Sequence, residues 1–133
     1  MILNGGCFCG AIRYQASGEI FHKTICHCGD CRRTSGAPNV GWFSLRLSGY
    51  RLLKGAPLRF HSSRHVTRTF CGNCGTQLSY EHEDMPGDID ITICSLDAPA
   101  DVAPDDHTFT SYRLAWDKSA DGLPEYLRTR AEG

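Results

Sequence analysis

Hydrophobic and polar residues alternate along this chain in short runs, and apolar residues do not recur at every third or fourth position. In residues 11–16, for example, Ile12 and Tyr14 fall on one face and polar residues fall on the other. Alternation with a period of two over four to eight residues is typical of half-buried β-strands. The pattern predicts strands at residues 11–16, 66–70, 78–82 and 89–93, with weaker candidates at 40–47, 50–53, 58–61 and 108–116.

Helical signals are sparse. A single helical turn is predicted within residues 30–35, and residues 99–106 have the polar composition of a loop. The chain contains no internal repeat, low-complexity segment or linker. We therefore expect one mostly β domain over residues 1–133, with an ordered core from about residue 3 to residue 127.

Composition excludes several classes of partner. The 133 residues carry a net charge of −1, and 41% are hydrophobic, which is ordinary for one globular domain. A chain without basic excess is a poor match for nucleic acid or an anionic membrane surface. No run approaches the roughly 18 apolar residues of a membrane helix, and residues 1–6 lack the pattern of an export signal. We expect a cytoplasmic protein with neither nucleic acid nor membrane as partner.

Cysteine is the unusual component, with eight residues in 133. Without an export signal, clustered cysteines indicate metal binding more than disulfides. The cysteines fall into three clusters and one isolated residue: Cys7 and Cys9; Cys26, Cys28 and Cys31; Cys71 and Cys74; and Cys94.

A structural zinc site is predicted from two of these clusters. Cys71 and Cys74 have the spacing of a zinc knuckle, flanked by glycines that permit a tight turn, between two predicted strands. A tetrahedral structural site needs four ligands, and Cys7 and Cys9 are the natural second pair. The alternative is four thiols without a metal.

The remaining cluster offers three thiolates and no fourth in its segment. Cys26, Cys28 and Cys31 predict a zinc with an open position, which distinguishes catalytic from structural zinc. Cys94 or His27 would close the site as a fourth ligand. Cys94 is expected instead to be a small buried residue within a strand, and His27 to lie beside the ligands.

An open zinc with three thiolates favours a soft fourth ligand, namely an incoming thiol. The metal would lower the pKa of that thiol and hold it as a thiolate at neutral pH. The chemistry indicated is the making or breaking of a carbon–sulfur bond.

Three motifs contain seven of the eight cysteines: Gly6-Cys7-x-Cys9-Gly10, Cys26-His27-Cys28-x-x-Cys31-Arg32-Arg33 and Phe70-Cys71-x-x-Cys74-Gly75. Together they resemble the glutathione-dependent formaldehyde-activating enzyme family. Later landmarks of the same resemblance are Ser95-Leu96-Asp97, Trp116 and Asp121-Gly122-Leu123-Pro124. The resemblance implies a β-tent fold of small stacked antiparallel sheets joined by zinc. It implies two zinc ions per chain, one structural and one catalytic, in the ligand sets above. It also implies S-(hydroxymethyl)glutathione synthase activity, a carbon–sulfur lyase reaction of glutathione and formaldehyde.

Recognition of the two glutathione carboxylates would require basic side chains. Arg32 and Arg33 directly follow the open cluster and are the candidate substrate-binding residues, while solvated helix charges are the alternative. Arg64 and Arg68 are weaker candidates, because arginines on strand faces are mostly exposed.

Other side chains have no predicted chemical role. Three aromatic residues are expected to fill the core: Trp42, Phe43 and Trp116. Three histidines show no ligand spacing and have no assigned role: His61, His65 and His107.

Two further hypotheses compete with the thiol–aldehyde enzyme. The first is a non-catalytic, zinc-stapled binding module, which requires a side chain that closes the second zinc. The second is a redox enzyme that uses Cys94 as nucleophile, although no matching signature surrounds Cys94.

Overall fold

The computed structural model describes residues 1–132, so residue 133 of the predicted domain lies outside the described residues. Within that range the chain forms ten strands: β1 (Ile2–Gly6), β2 (Arg13–Ser17), β3 (Ile20–Cys26), β4 (Val40–Arg46), β5 (Tyr50–Lys54), β6 (Leu58–Ser63), β7 (Val66–Phe70), β8 (Gln77–His82), β9 (Asp88–Thr92) and β10 (Asp106–Thr108). One α-helix, α1 (Gly29–Ser35), follows β3. Short 3-10 helices occur at Leu47–Gly49, Ile93–Ser95, Pro99–Asp101, Thr110–Tyr112 and Arg130–Glu132. The expected mostly β architecture is confirmed.

Where alternation is regular, the predicted strands match the observed ones. Strand β7 has the predicted bounds, and β4, β5, β6, β8 and β9 differ from their predictions by one or two residues. Strand β2 begins two residues later than its prediction, and neither β1 nor β3 was predicted. In β3 a bulge between Phe21 and Thr24 and the positive φ of His22 interrupt the pattern. The candidate strand at 108–116 was wrong, since β10 ends at Thr108 and a 3-10 helix follows.

Two sheets build the domain. The smaller has the order β1-β2-β5, and the larger has the order β10-β3-β4-β9-β8-β7-β6. All neighbouring strands are antiparallel except β10 and β3, which are parallel. The fold therefore departs at this one pair from the purely antiparallel sheets that the resemblance implied.

Strand register assigns side chains to the two faces of the larger sheet. Phe43 pairs with Ile91, and Ile91 with Ser79, so these three side chains share one face. The next residues along the strands point to the other face, where Tyr80 pairs with Arg68. Trp42 precedes Phe43 in β4, so its side chain also points to this second face.

Each face has its own core. The first face carries a large cluster with the smaller sheet, including Tyr14, Phe43 and Ile91. Cys7 and Cys71 belong to this cluster. The second core is smaller and consists of Cys26, Cys31 and Trp42, with partly buried neighbours at its edge. Each group of cysteines thus sits in a different core.

No helix among residues 1–132 is long and apolar enough to cross a membrane.

Candidate metal centres

The first candidate centre joins the N-terminal cysteine pair to the pair after β7. The sulfurs of Cys7, Cys9, Cys71 and Cys74 all lie within 4.8 Å of one another. Sγ of Cys9 is 3.6 Å from that of Cys7 and 3.8 Å from that of Cys71. These separations exclude a disulfide, whose sulfurs lie about 2 Å apart. They match the roughly 3.8 Å between ligands of a tetrahedral zinc with Zn–S bonds of about 2.3 Å. The residues present therefore fit a four-thiolate zinc.

Two glycine turns bring these sulfurs together. Gly10 and Gly75 each follow the second cysteine of a pair, with φ values of 82° and 84°. Residues with a side chain rarely adopt this left-handed conformation. The Gly75 N–H donates to the carbonyl of Cys71 at 2.8 Å, which closes the turn over the sulfurs.

Backbone N–H groups aim at the first centre. Sγ of Cys7 accepts from the Ile12 N–H at 3.2 Å, and Sγ of Cys71 accepts from the Cys74 N–H at 3.4 Å. Contacts with the Thr76 hydroxyl and backbone lower the pKa of Cys74 to about 5. Such donors favour thiolates and reduce their nucleophilicity, as suits a structural site.

The second candidate centre lies where β3 leads into α1. The sulfurs of Cys26, Cys28 and Cys31 lie within 4.8 Å of one another, with 3.4 Å between Cys26 and Cys31. Cys28 is the N-cap of α1, and its sulfur accepts from the Cys31 N–H at 3.2 Å. Cys26 and Cys31 are buried and Cys28 is partly exposed. The group fits three of the four positions around a zinc.

Cys28 is the most acidic thiol of the second cluster. Contacts with the Cys26 and Cys31 thiols lower the pKa of Cys28. Contacts with the Cys28 and Cys31 thiols, together with burial, raise the pKa of Cys26. The most exposed sulfur of the three is therefore the most readily ionised.

Neither proposed fourth ligand joins this group. Among residues 1–132, no other cysteine, histidine or carboxylate has its ligand atom within 4.8 Å of all three sulfurs. Cys94 lies in the 3-10 helix Ile93–Ser95 and is exposed, so its prediction as a buried strand residue was wrong. The His27 ring is fully buried but turns toward β10.

His27 belongs to a hydrogen-bonded chain that the sequence did not reveal. Its Nε2 lies 2.9 Å from Nδ1 of His107, and Nε2 of His107 lies 2.8 Å from the Asp121 carboxylate. Nδ1 of His27 lies 3.4 Å from the Asp117 carboxylate but makes no hydrogen bond to it. Burial and the nearby Arg113 charge lower the pKa of His27. The chain anchors the loop of the second cluster to β10, and Asp121 is one of the motif residues behind the family resemblance.

The four candidate arginines differ in how deeply their side chains are buried. Arg32 is half-buried and donates to the Tyr112 carbonyl at 3.0 Å, while Arg33 and Arg64 are exposed. Arg68 was expected to be exposed on a strand face, and this was wrong, because 3% of its surface is accessible. Its guanidinium lies 5.9 Å from the centre of the Trp42 ring, which belongs to the core of the second cluster.

Two of the three predictions for aromatic residues are confirmed and one was wrong. Trp42 and Phe43 are buried as expected, and Trp42 packs in the core of the second cluster. Trp116 was expected in the core, but it is 70% exposed because residues 113–120 form no strand.

Comparison with known proteins identifies relatives. The family described as glutathione-dependent formaldehyde-activating enzyme matches residues 2–112. A Halomonas elongata protein, named as a candidate glutathione-dependent formaldehyde-activating enzyme, is 29% identical over 93 residues. That match covers 59% of this chain and 55% of the relative, so it spans about half of the relative's length.

A crystal structure of a Rhodobacter sphaeroides protein is similar in fold. It superposes with a TM-score of 0.61 at 20% sequence identity, over 93% of this chain and 99% of that one.

Proposed function

This chain belongs to the glutathione-dependent formaldehyde-activating enzyme family, and we propose that it is a zinc-dependent carbon–sulfur lyase of the S-(hydroxymethyl)glutathione synthase type. It joins a thiol such as glutathione to formaldehyde or a related small aldehyde, or catalyses the reverse reaction. The observation that carries this proposal is the three-sulfur group of Cys26, Cys28 and Cys31, to which the described residues add no fourth protein ligand.

The two centres would have different roles, one structural and one catalytic. Cys7, Cys9, Cys71 and Cys74 would hold a structural zinc between the two sheets. Their sulfur separations of 3.6 and 3.8 Å support this assignment. These cysteines must stay reduced to bind zinc, which requires a reducing compartment, so we infer a cytoplasmic location.

Cys26, Cys28 and Cys31 would hold the second zinc. When bound there, zinc would lower the pKa of an incoming thiol and favour its thiolate form. The partly exposed Cys28 marks the side from which a ligand enters. Arg32 and Arg33 lie on α1 and would bind the carboxylates of a glutathione-like thiol.

In the reaction the thiolate sulfur attacks the aldehyde carbon and forms the new carbon–sulfur bond. The electron pair of the C=O double bond moves to oxygen, which takes a proton from water. The proton released by the thiol goes to water, so the addition consumes no oxidant or reductant. The reverse path breaks the same bond and returns thiol and aldehyde.

Native mass spectrometry of the purified protein tests the proposal. We expect two zinc ions per chain and an adduct with glutathione, but no adduct with S-methylglutathione, which keeps the carboxylates and lacks the thiol. Cys28→Ala should retain one zinc and lose the glutathione adduct. Two zinc ions without any glutathione adduct would refute the thiol–aldehyde reaction and favour a binding module. Formaldehyde added to the adduct should increase its mass by one formaldehyde.

A further inference from the structure

Arg68 is a buried cation whose surroundings are aromatic. It extends from β7 onto the same face of the larger sheet as Tyr80 and Trp42. Its guanidinium lies 5.1 Å from the centre of the Tyr80 ring and 5.9 Å from that of Trp42. Both rings pack against the second cysteine cluster. Arg68 therefore contacts the two aromatic rings that pack around that cluster.

Polar contacts hold the side chain in this orientation. Nε of Arg68 donates to Oγ of Ser62 at 3.1 Å, and Nη1 donates to Oγ1 of Thr34 at 3.4 Å. Thr34 lies in α1, three residues after Cys31. One hydrogen bond therefore ties the guanidinium to the helix that carries a cysteine of the cluster.

No carboxylate compensates this charge within residues 1–132. Six other arginines in that range form ion pairs with Asp or Glu: Arg13, Arg46, Arg59, Arg113, Arg128 and Arg130. The other arginines without such a partner are exposed or half-buried, and Arg68 alone in this range is both buried and unpaired. A buried charge is costly unless an opposite charge lies nearby.

The nearby candidate for an opposite charge is sulfur. Trp42 belongs to the same buried cluster as Cys26 and Cys31, and Tyr80 packs against that cluster. Oγ1 of Thr34, which accepts from Arg68, lies 3.3 Å from the carbonyl oxygen of Cys31. The guanidinium is therefore held against the rings and the helix that surround the thiols.

We propose that Arg68 is a positioning residue that offsets the negative charge of a thiolate bound beside Cys26, Cys28 and Cys31, and so makes this centre selective for anionic sulfur ligands. The inference rests on the proposed function. Three thiolates around Zn²⁺ carry about −1, and a fourth brings the group to about −2. The Arg68 charge returns it to about −1. Binding of a neutral thiol in this form releases one proton to water.

Calorimetric titration of the zinc-loaded protein at pH 7 tests this role, with glutathione and 2-mercaptoethanol as separate ligands. Arg68→Met fills the space between the two rings without charge, and Arg68→Lys keeps the charge. Arg64→Met is the matched control, because it removes an exposed arginine of the same charge. Zinc content is measured for each variant before titration. If Arg68→Met does not fold, Arg68→Gln replaces it with the same expectations.

We expect Arg68→Met to weaken binding of both thiols by about 10- to 30-fold, the effect of unit charges roughly 8–12 Å apart at an effective dielectric constant near 20. Arg68→Lys should stay within about 3-fold of the parent protein, and Arg64→Met should match it. A loss confined to glutathione would overturn the inference, since Arg68 would then bind a carboxylate. Equal losses in Arg68→Met and Arg68→Lys would overturn it in favour of a packing role.

The two proposals fail separately. Thiol binding that is unchanged in Arg68→Met overturns the role of Arg68 alone. A parent protein with two zinc ions that binds neither thiol overturns the proposed function, and the inference with it.

Discussion

The two cysteine clusters use the same ligand atom and differ in what surrounds it. In the first, four sulfurs meet at glycine turns and accept backbone N–H donors. In the second, three sulfurs meet at the start of a short helix, and Cys28 remains partly exposed. A complete ligand set has no place for a substrate, whereas an incomplete one does. The number of sulfurs therefore distinguishes the proposed structural role from the proposed reactive one.

An arginine near each cluster extends the contrast. Arg13 pairs across the smaller sheet with Gly6, the residue before Cys7, but both of its terminal nitrogens donate to the Asp97 carboxylate. That pair is partly exposed and its charge is already neutralised. Arg68, beside the second cluster, is buried and has no carboxylate partner among residues 1–132. Of these two arginines, the one without a carboxylate partner is therefore the one beside the cluster where an additional anion is expected.

The largest expected effect comes from a break in the first cluster. Cys74→Ala removes a ligand from a group that joins the N-terminus to residues about 60 positions later and that contributes to the main core. Binding of a structural metal contributes directly to folding free energy. We expect a loss of more than about 4 kcal/mol in the free energy of unfolding, measured by urea denaturation, with a large decrease in soluble yield.

Cys28→Ala is the matched control, because it removes one ligand of the smaller peripheral core. It should lose the second metal and cost less than about 2 kcal/mol in the same experiment. Equal destabilisation by the two variants would show that the clusters do not divide the roles as proposed.

A moderate effect is expected at Asp106, which supports the second cluster from β10. Its carboxylate accepts from Nε and Nη2 of Arg130 at 2.5 and 2.9 Å, and β10 pairs with the end of β3 at Cys26. Burial alone would raise the pKa of Asp106, but the Arg130 hydrogen bonds outweigh it and lower the pKa. Asp106→Asn should cost about 1–2 kcal/mol at neutral pH, a decrease of roughly 3–6 °C in Tm.

The pH dependence of that cost tests its cause. A carboxylate with a depressed folded-state pKa stabilises the protein above its unfolded-state pKa, about 3.9, and loses that effect as pH falls through the folded value. The Tm difference between the parent protein and Asp106→Asn should therefore narrow below about pH 4. A chelator should remove the metal of the second centre faster from this variant than from the parent protein. It should remove the metal of the first centre from both at the same rate. A difference that does not depend on pH would contradict the electrostatic explanation.

Much of the candidate site could be predicted from the sequence, because its ligands lie close together along the chain. The cysteines of each pair lie two or three positions apart in the chain, and glycines such as Gly10 and Gly75 permit the turns beside them. Regular alternation likewise located β7 to the residue. These features depend on interactions between near neighbours, which a single sequence displays.

The features that the sequence did not reveal depend on strand pairing. Arg68 is buried because the β7–β8 register places it opposite Tyr80, and β4 brings Trp42 to the same face. His107 meets His27 because β10 pairs in parallel with β3 across 80 residues of chain. Alternation assigns a residue to a face of its own strand, but it does not say which strand lies beside it. Long-range register therefore decides the charge around the second cluster.

The smallest expected effect separates the clusters from the one cysteine that belongs to neither. Cys94 is exposed in the 3-10 helix Ile93–Ser95, and its sulfur is not part of either group. Cys94→Ser replaces an exposed thiol with an isosteric hydroxyl, so the free energy of unfolding should change by less than about 0.5 kcal/mol. Native mass spectrometry should still find two zinc ions and the glutathione adduct. Loss of one zinc would instead make Cys94 the fourth ligand of the second centre. That centre would then be as closed as the first, and the contrast on which the proposed chemistry rests would disappear.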